Sequence, residues 1–284
     1  MNHALYACNL GALADPRLLA DLAAGAEEAG YDGFFISDWM LPTAWPDGGP
    51  AAVADVQVAL TAVALATSRV RFGAMVSPLP RRRPVKFARE VLSLDRISDG
   101  RLIVGAGAGH EVETEFARLG EPTEARARAD RLDESLAILN QLLRGEEVSF
   151  AGAHLTVEAT RLADPLVQEP RAPFWLGALP DRPRTLRRAA RWDGVFALRS
   201  DFALMSPSDV AAMRDYVLAH RESTDPFDIV VAARFPDNAP APEPDAIAAY
   251  AQAGATWWLE YAWTPEQARD LIARGRPERP AASA

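Results

Sequence analysis

The 284-residue sequence predicts a parallel (β/α)8 TIM barrel. Three observations predict it. Eight short apolar runs alternate with eight stretches whose apolar residues recur at three- and four-residue spacing. The connections are mostly short and no linker divides the chain, so residues 1–276 read as one domain, with a tail at 277–284 that carries no core and is expected to fray. The first βα loop, Asn9-Leu10-Gly11-Ala12, lacks the phosphate fingerprint that a doubly wound open sheet would place there.

Each element has a local reason. A strand over 5–8 ends at Asn9. Asp15-Pro16 supplies an N-cap and a proline at the first helical position. The helix that follows runs to residue 29, buries Leu18, Leu19, Leu22 and Ala26, and stops at Gly30. YDGFFI (31–36) is the second strand, ending in Ser37, Asp38 and Trp39 ahead of a Pro- and Gly-rich loop at 41–50. A helix over 53–66 leads to a third strand at 70–76. Pro84 opens the next helix, with Phe87, Ala88, Val91, Leu92 and Leu94 on its core stripe, and Asp99-Gly100 ends it. Leu102, Ile103 and Val104 form an apolar strand, followed by Gly105, Gly107 and Gly109 and then His110, Glu111, Glu113 and Glu115.

A long helix over 125–143 carries Leu132, Leu136, Leu139 and Leu143 on one stripe. A small hairpin at 148–157, around Ala151-Gly152, is an excursion between the fourth helix and the fifth strand. Strands are expected at 174–176, 194–198, 228–234 and 255–261, and helices at 183–191, 207–220, 245–253 and 265–273.

Composition narrows the function. Hydrophobic residues make up 49% of the chain, enough for a large core. A net charge of −9 argues against a nucleic-acid partner, and Arg81-Arg82-Arg83 reads as a solvated loop. Cys8 is the single cysteine, which rules out an internal disulfide and a thiolate zinc site. Of four histidines only His110 lies at a predicted strand end, so no metal site is expected. No apolar stretch reaches the length of a membrane span, and Met1-Asn2-His3 leads directly into a strand-like run; a cytoplasmic protein is expected.

The chemistry-bearing residues gather after strands two and four. Alternating glycines strip side chains from one face of a strand end, which would let a flat ligand lie against backbone; they would equally relieve crowding inside a packed barrel. Asp38 ends strand two, where barrel active-site groups belong, and could accept a hydrogen bond from a ligand, cap a loop or pair with an arginine. His110 can give or take a proton near neutral pH, or donate to a loop carbonyl.

The segment LDRISDGRLIVGAGAGHEVETEF resembles the signature of the bacterial luciferase-like flavin and deazaflavin oxidoreductases. AGYDGFFISDW, VRFGAMVSPLPRRRP, ADRLDESLAILNQLLRGEEVSFAGAHL, DPLVQEPRAPFWLGA and ARWDGVFAL agree with it in order, so the likeness covers about residues 1–200. The resemblance implies a (β/α)8 barrel with its cofactor, FMN or alternatively the deazaflavin coenzyme F420, over the C-terminal strand ends. It implies a non-prolyl cis peptide at Ala74-Met75 or one residue later, placing Ala74, Met75 and Val76 beside the ring. Gly105, Gly107 and Gly109 would lie against the ring, and Asp38 and His110 would be the catalytic pair, Asp38 also touching the cofactor. Luciferase-type relatives hold the phosphate with an arginine near Ala108 and a serine near Ala178; both are alanine here. That leaves backbone N–H groups at Gly177, Ala178 and Leu179, with Arg182 and Arg184 nearby. Glu115 matches a position that braces the loop, while Arg199, Arg234 and Glu260 end strands six to eight and are candidates for substrate or cofactor-tail contacts.

The activity implied is hydride transfer or monooxygenation. The substrate expected is a small organic molecule, apolar or aromatic in view of Trp257, Trp258, Tyr261 and Trp263. The resemblance also implies a homodimer through helices two and three. The alternative is a non-catalytic barrel acting as a binding or partner subunit.

Overall fold

The computed structural model describes residues 1–41, 51–201, 203–233 and 244–277. In chain order the elements are β1 (Asn2–Ala7), α1 (Pro16–Glu28), β2 (Gly33–Ile36), α2 (Val56–Ala66), β3 (Arg71–Ala74), β4 (Ser77–Pro78), α3 (Pro84–Ile97), β5 (Val104–Gly107), α4 (Val112–Glu115) and α5 (Ala125–Leu142). They continue as β6 (Val148–Ala151), β7 (Thr156–Thr160), β8 (Phe174–Ala178), α6 (Pro183–Ala189), β9 (Gly194–Ala197), α7 (Pro207–Ala219), β10 (Asp228–Ala233), α8 (Pro244–Gln252), β11 (Trp257–Ala262) and α9 (Pro265–Arg274).

Local chemistry sets the helix starts. The Asp15 carboxylate accepts from the Arg17 N–H at 2.9 Å ahead of Pro16. Asp55 accepts from Gln57 and Val58, which moves the start of α2 to residue 56 from the expected 53. Ser206 and Asp209 form a reciprocal capping box at the head of α7.

The sheet runs β3-β2-β1-β11-β10-β9-β8-β5-β4, with every adjacent pair in it parallel. A parallel bridge between Phe72 and Leu102 joins β3 to the entry of β5 and closes the circle. β3 and β4 are two halves of one barrel strand, interrupted at Met75-Val76, so the cylinder has the eight strands expected. The hairpin excursion is the antiparallel β6–β7 pair.

Strand alternation sorts the core. Inward residues Ala4, Tyr6, Cys8, Phe35, Met75, Ile103, Trp175, Phe196, Val230, Trp257 and Leu259 pack as a plug inside the cylinder. Outward residues such as Leu5, Phe34, Phe72, Phe174, Val195 and Trp258 pack against the helices in a second, larger layer. Two sequence expectations change. The third strand is split rather than continuous, and the fourth runs over 104–107 instead of 102–104, so Gly105 and Gly107 lie within it. The predicted tail lies outside the described residues beyond Pro277.

Candidate functional site

The geometry of the mouth begins at the break between β3 and β4. The Met75-Val76 peptide is cis, at the second of the two positions named from sequence. The glycines of β5 face this break. A Cβ on Gly105 would lie 2.0 Å from the Ala74 carbonyl oxygen, and one on Gly107 would lie 2.6 Å from Val76 Cγ2. Gly177 on β8 flanks the same side chain, its Cβ position 3.2 Å from Val76 Cγ2. The glycines therefore clear space for the neighbouring strand and for Val76. Of the two readings the sequence left open for Gly105 and Gly107, these distances fit the relief of crowding. Gly109, with φ +85°, turns the chain, and its Cβ position would meet the Phe116 ring.

The surface that faces outward from the plug is apolar. Its half-buried members are Val76, in the break between β3 and β4, and Leu198, Tyr261 and Trp263, at the C-terminal ends of β9 and β11. Tyr261 stacks on Tyr6 beneath it, ring centroids 4.2 Å apart at 29°, and on Trp263 beside it at 5.9 Å and 26°. The Tyr6 hydroxyl donates to the Met75 carbonyl at 2.9 Å. Burial, with lesser contributions from Tyr261 and Cys8, pushes that hydroxyl well above its ordinary range, so it stays a donor. Sequence reasoning missed Tyr6 and Leu198. The available signal was parity: Tyr6 shares its inward face with Ala4 and Cys8, and a buried tyrosine hydroxyl needs a partner.

Asp38 does not face the opening. Its carboxylate is 2% exposed and accepts from Arg82 Nη2 at 2.8 and 2.6 Å and from Arg81 Nη2 at 3.3 Å. Arg81 Nη2 also donates to the Asp38 carbonyl at 2.8 Å, and Arg81 Nη1 pairs with the buried Glu115. Glu115 in turn accepts the backbone N–H groups of Met40, at 3.0 Å, and Leu41, at 2.5 Å. Arg81 and Arg82, expected as a solvated loop, are thus structural cations that tie three βα connections together. Glu115 braces the loop after β2, as the resemblance implied. Trp39 is held between the two clamps, and its ring meets the His110 imidazole edge to face at 6.4 Å and 88°. His110 is exposed at the rim.

A family model described as luciferase-like monooxygenase matches residues 6–282 of this chain. The chain belongs to that family. The luciferase-like chain is also 35% identical over 209 residues to an F420-dependent glucose-6-phosphate dehydrogenase of Nakamurella multipartita, covering 71% of this chain and 58% of the relative. A second F420-dependent glucose-6-phosphate dehydrogenase, of Microbacterium testaceum, is 34% identical over 178 residues, 62% of this chain and 50% of the relative. The chain thus spans about half the length of the curated relatives it matches. Among solved structures, an F420-dependent secondary alcohol dehydrogenase in complex with an F420-acetone adduct superposes with a TM-score of 0.77 at 16% identity, covering 97% of this chain and 98% of the other. The monooxygenase RslO1 from Streptomyces bottropensis superposes at 0.74 and 19% identity, covering 96% and 97%. These superpositions carry the barrel fold.

The remaining candidates of the luciferase-like barrel distribute as follows. The Leu179 N–H donates to Thr185 Oγ1 at 3.0 Å, so it is committed within its own loop rather than left for a phosphate. Arg182 and Arg184 are exposed. Arg199 is exposed and pairs with Asp201 at 3.0 Å, and Arg234 lies outside the described residues. Glu260 is fully buried on the outward face, bonded to Tyr31 and Arg274, and does not reach the mouth. Trp258 also faces outward, against Tyr250, and Trp257 packs at the base of the plug with Trp175 and Phe35. Of the four strand-eight aromatics only Tyr261 and Trp263 belong to the mouth. Among the described residues no group of three or more His, Cys, Asp or Glu could hold a metal ion, and no helix is long and apolar enough to cross a membrane.

Proposed function

We propose that the chain is an oxidoreductase that binds a deazaflavin ring of the F420 type at this mouth and exchanges a hydride with a small, uncharged apolar substrate. The observation that carries the reading is the half-buried apolar floor of Val76, Leu198, Tyr261 and Trp263 at the C-terminal end of a closed barrel. A flat ring fits such a floor. The F420-dependent names of the relatives place the deazaflavin ahead of FMN. The absence of an arginine at 108 and a serine at 178 points the same way, since FMN ends in a phosphomonoester that carries nearly two charges at neutral pH.

When bound, a deazaflavin supplies two-electron hydride chemistry. The chain's own residues do the rest. Val76 and the Tyr261–Trp263 pair carry the ring and substrate, with the backbone of Gly177 and Ala178 at the adjoining strand end. Trp39 walls the opening and helps exclude water. His110 gives or takes the proton at an imidazole nitrogen. Asp38 acts through the loop it anchors. The substrate proposed differs from the sugar phosphate in the relatives' names, because Arg81 and Arg82 are committed to carboxylates.

The protein is further proposed to act in the cytoplasm as a homodimer, one domain per protomer. α2 (VQVALTAVALA) carries no charge, and its outward Val58 and Leu65 are 57% and 67% exposed. Leu65→Glu should convert the dimer to a monomer in light-scattering chromatography.

The deciding experiment titrates purified protein with F420 and, separately, FMN. It then follows reduced-coenzyme oxidation without oxygen on small ketones and on sugar phosphates. Micromolar F420 binding and turnover of an apolar ketone support the reading. Binding of FMN alone, or turnover confined to sugar phosphates, overturns it. Binding of neither ring leaves the non-catalytic partner subunit, which the alanines at 108 and 178 favour.

A further inference from the structure

The mouth rests on one buried side chain, Tyr6. We propose that Tyr6 is the positioning residue of the ring seat. Tyr6 stands on β1, directly opposite Tyr261 of β11 in register, and is 4% exposed inside the cylinder. Its two ends do different work. The ring backs Tyr261, face to face at 4.2 Å, and through it Trp263. The hydroxyl passes β2 and donates at 2.9 Å to the carbonyl of Met75, in the break between β3 and β4 where the barrel ladder is interrupted. The residue that follows that carbonyl is Val76, whose isopropyl group fills the space left by Gly107 and lies beside Gly177. One side chain therefore ties the strand-eight wall to the strand-three seat.

Both tied groups need a tether. Met75 O lies in the apolar interior, where an unanswered carbonyl is costly, and Tyr6 supplies the donor. Met75 and Val76 occupy neither half-strand; the Met75 N–H donates to the Ile36 carbonyl of β2 at 2.8 Å, and the Tyr6 hydroxyl holds the carbonyl of the same residue. The packing of Tyr6 on Tyr261 fixes the spacing between seat and wall, which is the dimension a flat ring would sample.

This inference rests on the proposed ring site, so its test includes a readout that needs no cofactor. Tyr6→Phe keeps the ring and removes only the hydroxyl. Tyr250→Phe is the control: it removes a tyrosine hydroxyl that also donates to a backbone carbonyl, Met205 O at 2.8 Å, away from the mouth. In methyl-labelled protein, Tyr6→Phe should move or broaden the Val76 methyl resonances, and Tyr250→Phe should leave them in place. In ring titrations Tyr6→Phe should weaken binding by about 3- to 10-fold, the worth of one hydrogen bond, and shift the absorbance of the bound ring. Unmoved Val76 methyls in Tyr6→Phe overturn the proposal, whatever the ligand. Moved methyls with wild-type ring affinity and spectrum also overturn it. If the wild type binds neither ring, the proposed function fails, and the Val76 resonances alone then decide whether Tyr6 positions the seat.

Discussion

The two sides of the barrel mouth are built differently. On the side of β2, β3–β4 and β5, four charged groups are packed into the protein: Arg81 is 2% exposed against Asp38 and Glu115 at 2% and 3%, and Arg82 closes the set. On the side of β9 and β11 the rim ion pair, Arg199–Asp201, is 45% and 54% exposed, and the wall is aromatic. The buried set is costly to assemble and costly to break, because each charge removed from water relies on the others. The exposed pair is screened by solvent and contributes little. The first side is thus a fixed frame that holds Trp39 and the loop after β2. The second offers apolar surface.

The strongest way to break this contrast is to remove one buried charge. Glu115→Ala should cost about 3 kcal/mol or more in urea unfolding, because Arg81 loses a partner and the Met40 and Leu41 N–H groups lose their acceptor. Arg199→Ala should leave the urea midpoint unchanged. Equal midpoints for the two variants would erase the distinction between the sides.

The next effect is steric. Gly105→Ala drives a methyl group to 2.0 Å from the backbone oxygen of Ala74 and should cost about 1–3 kcal/mol. Gly177→Ala meets only the end of Val76, at 3.2 Å, and should cost less while lowering ring affinity in titration. The reverse order would mean that β5 is not the crowded strand.

Asp38 sharpens the comparison between structural and chemical roles. Asp38→Asn keeps the shape but gives Arg81 and Arg82 a neutral acceptor. It should lower stability by about 1–2 kcal/mol while kcat stays within about tenfold of wild type. A drop in kcat of about a hundredfold or more with unchanged stability would make Asp38 the catalytic residue that the resemblance implied.

The last effect lies away from the mouth and shows only in acid. Glu27 on α1 is pushed up by burial, but hydrogen bonds from Val70, Arg69 and Ser68 outweigh that and hold its pKa at about 2, below the ordinary 4.5. The bound carboxylate therefore stabilises the fold above about 4.5, and the gain is lost as pH falls from there through about 2. Glu27→Gln should flatten that part of the acid-unfolding curve.

The order and type of the barrel elements were legible in the sequence, because helix and strand periodicities and caps such as Asp15-Pro16 are local. Sequence also identified the segment 74–76 as the special stretch of strand three and named Glu115 as a brace. It left two readings open for the glycines at 105 and 107, because what a glycine makes room for is set by the strand opposite, here Val76 and the Ala74 carbonyl. It also could not choose between the roles of Asp38. The arginines that claim it are 43 and 44 residues away, and Glu115, the other partner of Arg81, is 34 residues beyond that arginine.

By itself, then, the sequence determined a closed parallel barrel and the family it belongs to. Only the tertiary structure decided which side chains face the opening. Alternation tells inside from outside, but the occupant of each inward space depends on contacts between residues far apart in the chain. Buried charges choose partners, and glycines lend room, only once the cylinder is closed.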